Sequence, residues 1–478
     1  MGLGFDHQGY GVAVALAVAS VLVASIAAAQ VPQPNTIINP ARDATRQNEE
    51  LERATRESES QRLLRPGREV TYEDVLAHPD DIDLNFAFAQ GQIQRGELRG
   101  AASTLERIIL INPDLPRVRL LYAIVLYRLD NIDEAERELQ AVRQYDMPVS
   151  LRADLDRYIE QIRLRRQRTR YTATVAVNFQ HDWNKNLSPA TGVTLASNLP
   201  ATVDGHSLRK RDDSINTLTR LDVSHDLGFQ ARHRLTGAIT YYRNEQIHLS
   251  ELDLQSLSGE IGGVYDAAPV TLVPNFYRRR IMLANKFYTY DTGMEFRALH
   301  QFDADTQLYL VEGAEYQVYD RIVEDQTGPD RNGWLYTSGA GINHTLNLAM
   351  RLGFEVDVLR KIAQRNYNSY DGASLTLTHT WIFGNGTYLL SALIGEQDNY
   401  KEADTTVSDT TRRDRVGRAR LTYGVPLAAV FDPEGQQDWV RDLTFSVSGE
   451  LIRQTSTLPN YTYNNRKASV GLSKRWEF

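Results

Sequence analysis

The chain has 478 residues, of which 42% are hydrophobic and 24% charged, with a formal net charge of -8 and no cysteine. This composition excludes a disulfide framework, a thiolate metal site and lipid anchoring through a cysteine, and the charge does not indicate nucleic-acid binding. The mean hydropathy of -0.43 is usual for soluble proteins. A β-barrel with a polar lumen has the same average, however, because its apolar residues alternate with polar ones.

The N-terminal region predicts export. An apolar run over residues 12–26 is followed by Ala27-Ala28-Ala29, which is typical of a signal peptide over residues 1–29. No other segment reaches about 18 consecutive apolar residues, so a helical membrane protein is not expected. Residues 30–69 are rich in Glu, Arg, Ser and Gln and predict a charged linker or solvated helix, with a helix that enters a barrel lumen as the alternative.

A repeat with a period of 34 residues follows between residues 82 and 168. It aligns Gly96 with Asp130, Ala101 with Ala135, Leu105 with Leu139, Ile108 with Val142, and Pro113 next to Pro148. This period, with small residues where two helices cross, is typical of tetratricopeptide repeats. The sequence therefore predicts a helical domain over residues 70–168, in which residues 149–168 form a capping helix.

The first helix of each repeat predicts a surface for a partner, because these helices line the concave groove of stacked repeats. The candidate groove residues are Phe86, Gln90, Ile93, Gln94, Leu120, Tyr127 and Arg128. Packing inside the helical domain is the alternative role for several of them.

After residue 170 the hydrophobic period changes to two, in about fourteen alternating segments. All five Trp and 18 of the 24 Tyr lie in this part of the chain. In residues 371–383 the apolar residues Leu375, Leu377, Trp381 and Phe383 alternate with Ser374, Thr376, Thr378 and Thr380. The predicted fold is a multidomain α+β protein with a 14-stranded antiparallel transmembrane β-barrel over residues 169–478. A soluble β-sandwich, which would bury these apolar faces against each other, is the alternative.

The connections between the segments alternate in length. Tight turns follow the second, sixth, eighth and tenth segments, and long polar loops follow the first, seventh, eleventh and thirteenth. Outer-membrane barrels have short turns on the periplasmic side, so a periplasmic helical domain fits this order. Two inner connections, Asp266–Phe276 and Gly424–Asp438, are longer than expected and could fold into the lumen or meet the helical domain. Residues Tyr277–Tyr290 are interpreted as one strand.

The last ten residues predict a closing strand. Val470, Leu472, Trp476 and Phe478 lie on one face, which Lys474 interrupts. A terminal strand that ends on an aromatic residue is typical of outer-membrane barrels, so we expect Trp476 and Phe478 at the barrel closure. An edge strand of a soluble β-domain is the alternative.

Recognisable catalytic motifs are absent from the sequence. The ten histidines form no H-x-x-x-H pair, and no G-x-S-x-G motif or phosphate-binding glycine loop precedes a helix. We therefore expect a protein that is not an enzyme and that has no cofactor.

The junction between the two parts carries the most particular motif. A proline-led helix with a basic end, MPVSLRADLDRYIEQIRLRRQ, precedes a strand that leads into an Asp-x-Asn-x-Asn element, Asp182, Asn184 and Asn186. Over residues 70–478 this order of parts resembles the surface lipoprotein assembly modifier (Slam) family, whose members have a signal peptide, periplasmic tetratricopeptide repeats and a fourteen-stranded barrel. The final strand departs from the common assembly signal of outer-membrane barrels at Ser473, five positions before the terminal aromatic residue, where a glycine is common. We expect the element to shape the first extracellular loop, with weak Ca²⁺ binding as the alternative.

The resemblance implies a translocon in the outer membrane of a Gram-negative bacterium, which carries lipoproteins or soluble secreted proteins to the outside. Expected partners are the cargo protein, outer-membrane lipid and, during biogenesis, the barrel-assembly machinery, and nucleic acid is not expected. A polysaccharide exporter, a passive porin and a lipid-modifying barrel enzyme are the rival functions. An exporter of polysaccharide would have more repeats, and a porin would have no use for the helical domain.

Overall fold

The computed structural model describes residues 70–145, 149–202, 208–228, 233–322, 325–347, 349–431, 439–440 and 442–478. The signal peptide and charged linker predicted over residues 1–69 lie outside these residues. The described chain forms two compact units, a helical unit that ends at Arg168 and a β-unit that begins at Thr169.

Six helices form the described part of the helical unit. They are α1 Tyr72–Ala77, α2 Ile82–Gln94, α3 Leu98–Ile111, α4 Pro116–Arg128, α5 Ile132–Val142 and α6 Val149–Arg166. Local side chains start several of them: Thr71 and Asp74 form a capping box at α1, and Asp81 accepts a hydrogen bond from the Leu84 N–H at α2 (3.1 Å). Pro116 occupies the first turn of α4, where its missing N–H has no cost.

The two helix pairs α2–α3 and α4–α5 have the same turn. Gly96 (φ 79°) and Asp130 (φ 64°) both adopt the left-handed conformation that ends a helix. The next N–H groups, of Glu97 and Asn131, donate to carbonyl oxygens of the preceding helix at 2.9 and 3.0 Å. The predicted repeat is thus present in the backbone as well as in the sequence.

The aligned apolar positions of the repeat form one core. Ala101, Leu105 and Ile108 of α3, and Ala135, Leu139 and Val142 of α5, are all buried in it. The two alanines allow the helices to approach closely, and Leu155 and Ile162 of α6 join the same core. Pro148 lies outside the described residues. The predicted tetratricopeptide-type helical domain is confirmed.

Fourteen strands of the β-unit form one closed antiparallel barrel, in which the first strand pairs with both the next barrel strand and the last one. The strands are β1 Thr169–Asp182, β4 Asp212–Asp226, β5 Arg234–Gln246, β6 Leu254–Ala267, β7 Val270–Leu283, β8 Lys286–Gln301, β9 Thr306–Tyr319, β10 Gly333–Asn347, β11 Met350–Ala363, β12 Tyr370–Ile382, β13 Tyr388–Tyr400, β14 Arg413–Pro426, β15 Leu443–Ser456 and β16 Tyr463–Glu477, and a separate hairpin consists of β2 Val193–Ala196 and β3 Leu199–Thr202. The predicted fourteen-stranded barrel is confirmed.

Short helices lie between some of the strands. They are the 3₁₀ helices Ser250–Leu252, Gly328–Arg331, Asn366–Asn368 and Pro459–Tyr461, and the single-turn helix α7 Ala428–Phe431. The four 3₁₀ helices lie at the barrel end that also carries residues 183–211 and 401–412, which we call the loop end. The opposite end is the turn end, and β1 begins there.

The outer face of the barrel is apolar. In β12 the side chains of Leu375, Leu377 and Trp381 are exposed on this face, and in β11 the same holds for Leu352, Phe354, Val356 and Val358. A closed sheet has no unpaired backbone edge, so its apolar outer face can lie in hydrocarbon without buried unsatisfied N–H or C=O groups. The soluble sandwich is excluded, because these side chains do not pack against a second sheet.

Aromatic side chains lie at both ends of the apolar face. Near the loop end, the Trp334 ring lies 5.1 Å from Tyr316 and 5.9 Å from Tyr336. Near the turn end, Phe383 lies 4.6 Å from Trp381 and 6.3 Å from Tyr423. Two aromatic belts of this kind mark the two membrane–water boundaries of a transmembrane barrel.

Two details of the predicted strands are wrong. Residues 266–276 are not a long connection, because they contain a tight turn and the first half of β7. The predicted strand 277–290 is instead divided by a turn at Ala284 and Asn285, which both have positive φ (48° and 60°). Ala-Asn lacks the Asn-Gly signature of such a turn, and the apolar alternation continues through it.

The second long inner connection contains a short helix. Strand β14 continues to Pro426 and β15 begins at Leu443, so the connection spans residues 427–442 instead of the predicted 424–438, and it contains α7. Residues 432–438 lie outside the described part of the chain.

Candidate functional site: the barrel lumen and its first loop

The inner face of the barrel carries charged side chains in compensated groups. Arg220 on β4 donates to Glu260 (3.1 Å) and Asp222 (2.8 Å). Arg297 on β8 lies 2.7 Å from Glu295 and 3.8 Å from Glu355. Charged side chains at these positions make the inner face of the barrel polar.

Two hydrogen bonds between a tyrosine and a glutamate, which we call the Tyr–Gly–Glu bridges, each span three neighbouring strands of the inner wall. The Tyr277 hydroxyl on β7 crosses Gly293 on β8 and donates to Glu315 on β9 at 2.7 Å. Two strands further on, the Tyr309 hydroxyl on β9 crosses Gly341 on β10 in the same way. It donates to Glu355 on β11 at 2.8 Å.

Glycine is required in the middle of each bridge. A Cβ atom on Gly293 would lie 2.6 Å from the Tyr277 ring, and one on Gly341 would lie 2.2 Å from the Tyr309 ring. The tyrosines therefore lie flat against neighbouring backbone, and each joins three strands. These residues were not predicted from the sequence, although glycine inside a strand is a signal of such a close approach.

The first loop folds into the loop end of the lumen. Leu187 packs in a buried apolar cluster with Leu252, Ile452 and Tyr463. Lys185 is fully buried, and its Nζ donates to Asn244 Oδ1 on β5 at 3.0 Å. We call residues 182–188 the lumen loop. It fills part of the lumen next to β5 and β14–β16.

The buried lysine has a perturbed protonation equilibrium. Burial lowers the pKa of the Lys185 ammonium to about 7, against the opposing attraction of Asp182, Asp212 and Asp253. Lys467 lowers the pKa further by repulsion. Below about pH 7 the Lys185 side chain is protonated, so the docked loop then holds a buried positive charge, which costs free energy.

The predicted Asp-x-Asn-x-Asn element is the frame of the lumen loop. Asp182 Oδ1 accepts from the Asn184 N–H (3.0 Å), Asn184 donates to the Ser188 carbonyl (3.1 Å), and Asn186 Oδ1 accepts from the Lys210 N–H (2.9 Å). These side chains are used to fold the chain back on itself, as the local hydrogen bonds of Asp and Asn commonly do. Their expected role, to shape the first extracellular loop, stays a prediction.

The β2–β3 hairpin, in the same connection, lies across other loops. Leu195 and Asn460 exchange two hydrogen bonds of 2.7 and 3.0 Å. The N–H groups of Ser197 and Asn198 donate to carbonyl oxygens in residues 406–407 at 2.9 and 3.0 Å. The first connection therefore covers part of the loop end as well as entering the lumen.

The predicted groove residues of the helical unit divide into two sets. Leu120, Ile93 and Gln90 are buried, with exposed fractions of 0%, 6% and 7%, so their prediction as groove-lining residues is corrected: they are packing residues. Phe86 and Tyr127 are half-buried, and Gln94 and Arg128 are exposed. The second set can contact a partner.

The last strand closes the barrel. Trp476 on β16 lies opposite Ala173 on β1, and Phe478 exchanges backbone hydrogen bonds with Tyr171 at 2.9 and 3.2 Å. Both aromatic side chains are exposed on the outer face. Lys474, which interrupts the apolar face, donates to the Trp439 carbonyl at 2.5 Å and lies over the Trp476 ring.

None of the described helices is long and apolar enough to cross a membrane. Within the described residues, no cluster of three or more His, Asp or Glu side chains has the arrangement of a metal site.

Comparison with known proteins matches a tetratricopeptide repeat family to residues 92–153. No curated protein matches the sequence of the chain. Among solved structures, a loop-deletion mutant of OmpT, an outer membrane protein of Vibrio cholerae, is 8% identical, with a TM-score of 0.35 over 65% of this chain and 100% of that one. OprD of Pseudomonas aeruginosa is 8% identical, with a TM-score of 0.34 over 64% and 95%. OccAB3 of Acinetobacter baumannii is 8% identical, with a TM-score of 0.34 over 65% and 99%.

The repeat match and the geometry of the barrel define the class of protein. An apolar outer face with two aromatic belts and a polar lumen is the construction of an outer-membrane β-barrel. The chain is an outer-membrane β-barrel protein that carries a tetratricopeptide-like helical domain.

Proposed function

We propose that the protein is an export channel that carries specific proteins, either lipoproteins or soluble secreted proteins, across the outer membrane. In this proposal the helical domain lies in the periplasm and binds the cargo, and the barrel lumen is the path. The observation that carries it is the combination, in one chain, of helical repeats with a closed polar barrel. The proposed activity is transport, with no catalytic step.

The topology supports a periplasmic helical domain. The chain passes from α6 into β1 at the turn end, where Thr169 pairs with His225 near the end of β4. Barrels of the outer membrane have their short turns on the periplasmic side and their longer loops outside. A helical domain that precedes β1 is then on the side from which an exported protein arrives.

The exposed part of the predicted groove supports cargo binding. Phe86 and Tyr127 pack partly on the helical core and keep part of their aromatic surface accessible, and Gln94 and Arg128 are exposed on the same two first helices, α2 and α4. Repeat proteins of this type bind extended or helical segments with such first helices. The periplasm supplies no nucleotide, so the energy of export would come from folding outside or from handover by another machine.

The test is surface display of a cargo encoded beside this protein, measured by protease accessibility on intact cells. We expect Arg128→Glu combined with Tyr127→Ala to lower display about tenfold, since the aromatic and charged anchors of an interface dominate its binding energy. Deletion of residues 70–165 should abolish display while the barrel remains in the membrane.

The matched control is Arg137→Glu combined with Gln140→Ala on α5, which changes the same charge on an exposed face of a second helix. This variant should display cargo normally. Display that is equal with and without the protein would reject the proposal. A deletion variant that loses only ion conductance would favour a porin, and one that loses surface polysaccharide would favour a polysaccharide exporter.

A further inference from the structure

A groove of about 480 Å³ lies on the outer face of the barrel, across strands β12–β16. Its walls are the exposed leucines Leu375, Leu377 and Leu393 on one side and Leu451 on the other. Its floor is Gly395 and Gly417, which lie opposite each other on β13 and β14. No atom lies within 4 Å of the position that a Cβ would take on either glycine, so the groove is open to the surroundings of the barrel.

The groove is polar at only one end. Arg453 and Arg466 line it on the side toward the loop end, and both are exposed. Arg453 lies opposite Gly417, and Arg466 lies opposite Leu451, so the two arginines are diagonal neighbours on β15 and β16. Among the described residues neither guanidinium has an ion-pair partner within the chain.

We propose that this groove binds lipid A, the phosphorylated glycolipid anchor of the outer leaflet, with an acyl chain between the leucines and a phosphate on Arg453 and Arg466. Guanidinium groups bind phosphate with two parallel charge-assisted hydrogen bonds, and a lipid-facing cation without such an anion is costly. The order of the groove, leucines toward the middle of the membrane and arginines toward the loop end, is the order of a phosphorylated amphiphile.

The charge and the position favour lipid A over other occupants. On the orientation in which short turns face the periplasm, the loop end lies in the outer leaflet, where lipid A is found. Lipid A carries two phosphates, which suits two neighbouring arginines. The acylated N-terminus of a lipoprotein has no phosphate, and a glycerophospholipid has one and belongs mainly to the inner leaflet.

The test uses the full-length protein, purified in mild detergent, and native mass spectrometry after incubation with defined lipid A. We expect bound lipid A to fall at least about fivefold in Arg453→Gln/Arg466→Gln, because each guanidinium–phosphate contact is a strong charge-assisted one. Gly417→Leu, which fills the floor and keeps both arginines, should lower binding to a similar degree. Lipid A without phosphates should bind weakly to the wild-type protein and equally weakly to the arginine variant.

The matched control is Arg278→Gln/Arg280→Gln, which removes the same charge from exposed positions of β7, outside the groove. It should keep wild-type binding. Equal binding by the wild type, the arginine variant and Gly417→Leu would overturn the proposal. The proposal would also be overturned if the wild-type protein bound phosphatidylglycerol, or a lipoprotein, as well as it binds lipid A at the same concentration.

Discussion

At the scale of single residues, Lys185 makes the position of the lumen loop dependent on pH. Its pKa is about 7 when the loop is docked, and about 10.4 for an exposed lysine. Between these values the released loop binds more protons than the docked one, so docking strengthens as pH rises from 7 and is weakest below 7. The equilibrium constant for docking should change by up to about tenfold per pH unit in this window.

Hydrogen exchange of residues 182–188, corrected for intrinsic rates, measures this effect between pH 6 and 9. The protection of these amides should increase with pH in the wild-type protein and be constant in Lys185→Met. Lys210→Met is the control, because Lys210 is in the same connection and its Nζ lies 3.9 Å from Glu251 outside the buried network. Protection that is independent of pH in the wild type would show that Lys185 is not what the loop responds to.

At the scale of elements, each Tyr–Gly–Glu bridge joins three strands of the inner wall. Gly341→Ala would bring a Cβ to 2.2 Å from the Tyr309 ring, so the ring must move and the 2.8 Å hydrogen bond to Glu355 is lost. We expect a loss of about 1–3 kcal/mol in the free energy of unfolding, from overpacking and an unpaired acceptor. Urea unfolding of the barrel in detergent measures it.

A second glycine gives the comparison for this substitution. Gly449 lies on the outer face of β15, where nothing is within 4 Å of an added Cβ, so Gly449→Ala should leave stability unchanged or slightly raised. Tyr309→Phe, which removes only the hydroxyl, should cost less than Gly341→Ala. Equal stability of the two glycine variants would mean that the bridge does not hold the strands.

The bridges also mark the limit of what the sequence predicts. The period of two predicts the strands and their two faces, since it depends only on each segment by itself. A contact such as Tyr277 with Gly293 depends in addition on the turn between β7 and β8. The sequence placed no turn at Ala284 and Asn285, and an error in a turn changes the register of every following pair. The same reason hides Lys185, whose neighbours come from distant strands.

At the scale of the whole molecule, the two units place their apolar residues differently. The helical unit has its own apolar core, in which Leu105 and Leu139 hold equivalent places, whereas the barrel turns its apolar residues outward and is closed by backbone pairing of β1 with β16. The sequence predicts both arrangements, because its hydrophobic period changes from helical to two near residue 170. It could not separate Leu120 from the exposed Arg128, since both lie on the same helix and only packing decides which is accessible.

This difference predicts two separate unfolding transitions in urea. Two repeats and a capping helix make a small core, and repeat proteins generally need about three repeats for stability, whereas every strand of the barrel is paired on both sides. All five Trp lie after residue 170, so tryptophan fluorescence reports the barrel alone, and circular dichroism at 222 nm reports mainly the helices. We expect the helical signal to be lost at lower urea, while the fluorescence is unchanged.

Ala135→Leu, which overpacks the buried crossing of α4 and α5, should move only the first transition to lower urea. Coincident transitions by both signals would instead mean that the two units are stabilised as one.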